Sequence, residues 1–352
     1  MKKSVELEGY ELQESESENV NSFDKGRSIH IIRIKNSFVD SHLFLPEGIT
    51  LSHEAEKTAI TVSSNVSKNV LIIYEIDVRK NVSEELIFVV KNAMVRLHII
   101  FSSKKDNVSQ NNASENDNLQ NDKLENDKLL NNTSQKDESL NHSYDLKTTI
   151  HAEKGSLVFL TSVQDTSPFE SVTKTTTMNI QELASISETA LILASGNVIE
   201  KTTIFLEGPF AKVTRKEGSI CTQKIEQENT LHHLSQNTTA QIESKSLVEA
   251  KGFWQQKSII QAGTIAKNTV SFIRADALLL DKNAKALAIP ALEIEAEDVQ
   301  IGHASSVSHI NSDTLFYLQT RGLTKDEARE SIKKGFLQTY FADFPKEILK
   351  EK

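Results

Sequence analysis

Two stretches of this chain match each other at a fixed stride. NTTAQIESKSL begins at Asn237 and NTVSFIRADAL at Asn268, so Asn237 pairs with Asn268, Thr238 with Thr269, Ile242 with Ile273 and Leu247 with Leu278, each 31 positions apart. Asparagine at a corner followed by β-branched residues, recurring at one stride, suits stacked rungs of a solenoid. The surrounding sequence agrees. From 28 to 101 it reads as short β-branched runs (SIHIIRI, HLFLP, TAITV, VLIIYEIDV, ELIFVV, VRLHIIF), and strands resume at 147 and continue to about 301. A chain of 352 residues with only 12 glycines and 5 prolines is poorly supplied for many tight hairpins, so a parallel β-helix accounts for the pattern better than a sandwich does.

Two segments break the strand pattern. Residues 1–25 are acidic and polar without a helical face and are expected to form a mobile tail ahead of a β core spanning 26–310. Residues 104–143 contain the tandem units NDNLQ, NDKLE and NDKLL, with leucine at every fifth position. That period fits neither helix nor strand, so a disordered surface insert is expected. Such an insert also explains an apolar content of only 38%.

The last 42 residues, 311–352, change to helical period. Asn311 or Ser312 can cap a first helix that stops at Gly322, and Thr324 with Glu327 forms a capping box for a second. In that second helix Ala328, Ile332, Phe336, Tyr340 and Phe344 recur at i, i+4 and make an apolar stripe, with Pro345 as its breaker. The stripe either packs on its own domain or serves as a docking face. Phe316, Tyr317, Arg321, Ile332, Phe336 and Tyr340 are the candidate partner-binding residues.

Composition and missing motifs exclude several function classes. A net charge of −9 without a basic stripe argues against nucleic-acid binding. No segment nears the roughly 18 continuous apolar residues of a membrane span, and no apolar run follows the N-terminal lysines, so the expected compartment is the cytoplasm. A P-loop, a dinucleotide-binding glycine motif, a nucleophile elbow and an H-E-x-x-H pair are all missing. His232 and His233 are neighbours on a strand, point to opposite faces and cannot share an ion. The single cysteine, Cys221, permits no internal disulfide and reads as buried and inert.

The region from about 229 to 341 resembles the core domain of the SufB/SufD family, the scaffold proteins of the SUF iron–sulfur cluster assembly system. The residues carrying the likeness are ALLLDKNAKALAIPALEIEAEDVQIGHASSV (277–307) and NSDTLFYLQTRGLTKDEARESIKKGFL (311–337), with LHHLSQNTT (231–239) upstream. The resemblance implies a right-handed parallel β-helix, mainly β, with a C-terminal helical segment. It also implies work beside a SufC-type ATPase and a SufB-type subunit, with no enzyme activity of the chain's own. SufB-type members carry a cysteine where this chain has Ala275, so the SufD-like branch is expected, with a SufB-like homo-oligomeric scaffold as the alternative.

His303, in the segment EIEAEDVQIGHASSVSHI, follows the last strand of the expected stack. Imidazole suits iron and can join a partner's ligands at a shared site for transient iron or a nascent cluster. Equally, it can satisfy backbone groups at the strand-to-helix turn. Glu293, Glu295 and Glu297 share one strand face by period 2, a spacing that suggests paired acid/base carboxylates but reads as a solvated face. A pectin-lyase-type enzyme is the competing class, disfavoured by one tryptophan and 6% aromatics.

Overall fold

The computed structural model describes residues 5–7, 10–12, 29–35, 48–54, 57–63, 69–77, 82–102, 142–166 and 170–341. The expected insert lies outside these residues as far as 141, as do Phe344 and Pro345, but its last two residues, His142 and Ser143, open a strand. Within the expected tail a short antiparallel pair forms between β1 (Val5–Leu7) and β2 (Tyr10–Leu12).

The body is a parallel β-solenoid of two facing sheets. Sheet I contains β3 (Ile29–Lys35), β6 (Asn69–Asp77), β8 (Met94–Ser102), β10 (Leu157–Thr166), β12 (Ser185–Ala194), β14 (Lys212–Cys221), β16 (Thr239–Val248), β18 (Val270–Leu279) and β20 (Gln300–His309). Sheet II contains β4 (Ile49–Glu54), β5 (Lys57–Val62), β7 (Val82–Val90), β9 (His142–Ala152), β11 (Glu170–Ile180), β13 (Asn197–Leu206), β15 (Lys224–His233), β17 (Phe253–Ala262) and β19 (Lys285–Ile294). Each turn crosses from one sheet to the other, and only β4 and β5 pair antiparallel within them. This is the β-helix that the repeat suggested. Its matched residues are true neighbours: Ile242 sits beside Ile273, Leu247 beside Leu278, and the Thr238 and Thr269 hydroxyls are 3.0 Å apart.

Alternate residues point inward, the period-2 rule applied turn after turn. Beside the ends of the sheet II strands and the starts of the sheet I strands the interior is apolar along the stack, from Phe88 and Leu97 through Met178 and Ile186 to Ile260 and Ile273. In the turns whose corner is described, the passage from sheet II to sheet I has left-handed backbone: Asn92, Gly155, Leu183, Phe210, Asn237, Asn268 and Asp298 have φ between 46° and 74°. These corners stack. Gly155 N donates to Glu182 O at 3.0 Å, Leu183 N to Pro209 O at 3.0 Å, Asn237 N to Lys267 O at 2.8 Å and Asn268 N to Asp298 O at 3.0 Å. At Gly208 a Cβ would fall 2.1 Å from Glu182 N, so only glycine lets the two turns close.

Helix α1 (Ser312–Thr320) is capped by Asn311, whose side chain accepts from Asp313 N at 2.8 Å, and Gly322 follows it at φ 97°. Helix α2 (Lys325–Phe341) opens with the expected capping box. Glu327 Oε2 accepts from Thr324 N at 2.8 Å, and Glu327 N donates back to Thr324 Oγ1 at 3.3 Å. That backbone contact, followed by the hydroxyl contact, holds the Glu327 carboxyl below its ordinary value. The stripe of α2 lies on the outer face of sheet I, where Leu337 packs with Leu247, Leu278 and Leu280, and Ile332 and Phe336 rest against them.

Candidate functional site

Neither sheet has a neighbour beyond its last strand. β20 pairs only with β18, and β19 only with β17, so among the described residues the C-terminal end of the stack is open. The helices do not close it, because α2 packs on the side of sheet I. Exposed apolar residues gather here. Leu292, Ile294 and Val307 take up inward register positions yet stay exposed, and Leu287 and Ile289 lie on the outer face beside them.

His303 stands at this mouth. It is the register partner of Ile273, which is buried in the interior, so its position faces inward on the last rung, beyond which no described strand lies. His309 shares that face of β20, in register with Leu279. Six residues of extended strand separate the two imidazoles by roughly 20 Å, too far to bind one ion. No group of three metal-ligating side chains occurs among the described residues. Any ion at His303 therefore needs ligands from elsewhere. Ala275 is buried between Ser244 and Ser305 in the adjacent inward column. The glutamate trio is divided, because β19 ends at Ile294 and only Glu293 lies on it. Gln261 donates a hydrogen bond to its carboxylate, while Glu295 and Glu297 belong to the following turn.

Further back in the same interior lies a buried charge cluster that the sequence reading did not anticipate. Arg215 Nε meets Glu188 Oε2 at 2.6 Å, and its Nη2 meets Glu200 Oε1 at 3.1 Å. Its Nη1 donates to Asn229 Oδ1 at 2.7 Å and lies 2.8 Å from Glu217 Oε2. Lys174 Nζ completes the group 3.0 Å from Glu200. Gln227 donates to Glu200 Oε2 at 3.1 Å and accepts from Trp254 Nε1 at 2.7 Å. Burial opposes every charge here, and the neighbours decide the outcome. For Glu200 burial is outweighed by Lys174 and Arg215, which hold the carboxyl down to about 2. For Glu217 burial, supported by Glu200 and Glu188, prevails over Arg215 and raises it to about 8. The Glu217 carboxyl is thereby shifted toward its neutral form, beside the Arg215 guanidinium.

The family model for the SUF system FeS cluster assembly SufBD core domain matches residues 126–336, more than half of the chain. The chain belongs to the SufB/SufD family. Over a 119-residue stretch, 34% of its length, it is 34% identical to iron–sulfur cluster assembly SufBD family proteins of Mycobacterium bovis and Mycobacterium leprae, covering 14% of each. Over a stretch of the same length it is 33% identical to the iron–sulfur cluster assembly protein SufB of Bacillus subtilis, covering 26% of that protein. The match thus spans about a quarter or less of these relatives. SufB/SufD membership places the chain in iron–sulfur cluster assembly, and the likeness does not separate the SufB from the SufD branch.

The remaining candidates of this SufB/SufD chain fall into two groups. His233 is buried, with Nδ1 2.7 Å from Thr238 Oγ1, and burial pushes its pKa down to about 4. His232 points outward and stacks on Phe205 at 4.7 Å. The pair is divided between two faces, as adjacent strand residues must be. Burial raises the Cys221 thiol to about 12, so it is inert as a nucleophile at neutral pH. Of the six docking candidates, Phe316, Tyr317 and Arg321 are exposed on and just after α1, with the Arg321 guanidinium 5.0 Å from the Tyr317 ring centre. Ile332 and Phe336 pack on the chain's own sheet, and Lys245 Nζ caps the Phe336 ring at 5.3 Å. That removes both from a free docking face. Tyr340 lies in α2, with its side chain outside the described residues.

Proposed function

We propose that this chain is a SufD-like, non-catalytic scaffold subunit of the SUF assembly machinery in the cytoplasm. Its open end receives a SufB-type subunit, and the exposed α1 surface receives a SufC-type ATPase. The observation that carries the reading is the position of His303, which faces inward on a rung that nothing in the described chain covers. An uncovered sheet end leaves a row of unpaired backbone groups, and pairing with another chain satisfies them. A partner seated there would bring its own ligands next to the His303 imidazole, giving a shared site for iron or a nascent cluster as cargo. Ala275 supports the SufD-like branch, because it supplies no thiol inside the core. No described helix is long and apolar enough to cross a membrane, which agrees with a soluble assembly.

The test is co-expression with a SufC-type ATPase and a SufB-type subunit, followed by native mass measurement and cluster reconstitution. The expected result is one complex of fixed ratio, in which His303→Ala leaves the mass unchanged and lowers cluster yield at least tenfold. Assembly of this chain with itself and the ATPase alone would favour a SufB-like homo-oligomer. Unchanged cluster yield in His303→Ala would leave a purely structural subunit.

A further inference from the structure

Register between neighbouring strands is normally fixed by a buried face, because a slip of one residue turns every side chain over. β18 has such a face, with Ile273, Ala275, Ala277 and Leu279 all buried. On β20 the matching positions are His303, Ser305, Val307 and His309, and all four are exposed. Ile301, at the start of the strand, packs partly buried on the core. Beyond it the inward face of β20 does little to choose one register over another.

Two features of the outer face make that choice. Gly302 lies in register with Phe272, and a Cβ built on it would meet the ring at 3.4 and 3.5 Å, ordinary contact distances. A methyl group therefore just fits there, and a longer side chain has to displace the ring. Further along the strand Ser306 lies opposite Asp276 and donates to its Oδ1 at 2.7 Å. Asp276 is buried, and Arg274 Nε holds its Oδ2 at 2.7 Å, so the acceptor is fixed by a residue of its own strand. A slip of one residue meets an obstacle in either direction. One direction brings Ile301 against the Phe272 ring. The other brings His303 against that ring and sets Val307, which has no donor, opposite Asp276.

We propose that Phe272 and Asp276 are positioning residues for His303. Acting through Gly302 and Ser306 on the outer face of β20, they select the register in which the imidazole faces the interior. This rests on the reading of His303 as part of a shared site. Both residues belong to β18, so the direction of the imidazole is set before a partner arrives, and a ligand held in this way is preorganised.

Hydrogen exchange of single backbone amides in the full chain reads the register directly. Gln300 N donates to Thr269 O at 2.8 Å, and direction alternates along a strand. The amides of Gly302, Ala304 and Ser306 therefore face β18, while that of His303 faces the open edge. Phe272→Ala/Ser306→Ala removes the ring and the hydroxyl. In it exchange at the His303 amide should slow at least tenfold, and exchange at Ala304 should quicken by as much. Phe272→Tyr/Ser306→Thr keeps both features and should retain the parent pattern. In the co-expressed complex the first variant should lower cluster yield at least fivefold at unchanged mass. The proposal is overturned if the His303 amide exchanges as fast as in the parent. It is likewise overturned if all amides of β20 quicken together, since the contacts then anchor the strand without choosing its register. A reversed amide pattern with full cluster yield would uphold the positioning and overturn the ligand reading of His303 instead.

Discussion

Arg215 and His303 stand in the same inward column of sheet I, three turns apart. Around Arg215 its own strand supplies Glu217 and other strands supply Glu188, Glu200 and Asn229, so its charge is answered within the chain. His303 has a turn on one side only. The difference teaches where a solenoid can keep chemistry. A polar side chain in the middle must be satisfied by its own rungs and becomes structural, whereas one on the last rung is left for another chain to complete.

The largest effect that would sharpen this contrast is expected from Arg215→Met. It leaves buried carboxylates without their common cation and should cost about 3–5 kcal/mol in urea unfolding. A loss below 1 kcal/mol would mean that water reaches the cluster, and the two regions would then differ less than their burial indicates. Glu217 gives a pH signature of definite sign. Its folded pKa lies near 8 against an ordinary 4.5, so its contribution to stability is complete below about pH 4.5 and is lost as pH rises toward 8. Glu217→Gln should remove that decline, by up to about 1.4 kcal/mol per pH unit, when unfolding midpoints at pH 5, 6.5 and 8 are compared with the parent. Phe336→Ala removes a half-buried ring from the α2 contact. It should cost about 2 kcal/mol, less than a fully enclosed phenylalanine, and calorimetry of the variant checks it. At the open end, His303→Ala and Ile289→Lys should each change stability by less than about 0.5 kcal/mol. Ile289→Lys should nonetheless weaken capture of a SufB-type subunit at least tenfold, because an edge charge blocks strand pairing. Equal losses at Arg215 and His303 would break the comparison.

Much of this architecture is legible in the sequence, for identifiable reasons. The Asn237 and Asn268 corners align because both place Asn-Thr at the left-handed position and lead into strands paired in register. In the middle of the stack the partners are 27 residues apart, as for Glu188 and Arg215, and the changing stride conceals the other turns from a repeat search. The caps at Asn311 and Thr324 are local hydrogen-bond chemistry and survive folding unchanged. The charge cluster was not read, because an isolated charge on a strand is assigned to solvent by default. The parity of KVTRKEGSIC held the clue: Val213, Arg215, Glu217, Ser219 and Cys221 all fall on the face whose ends are apolar. The exposure of His303 could not be read from pattern at all, since it depends on the missing neighbour and not on the residues of β20.

Parallel strands pair across separations that run from 25 residues, between Val70 and Val95, to 63, between Met94 and Leu157, and every pairing needs the previous rung in place. A chain built in this way closes like a zip. As it emerges during synthesis, each new turn would be templated on the one before, with a bare edge at the growing tip at every stage. Among the described residues the mouth beside His303 is that tip, the same unfinished surface on which each earlier turn was laid down.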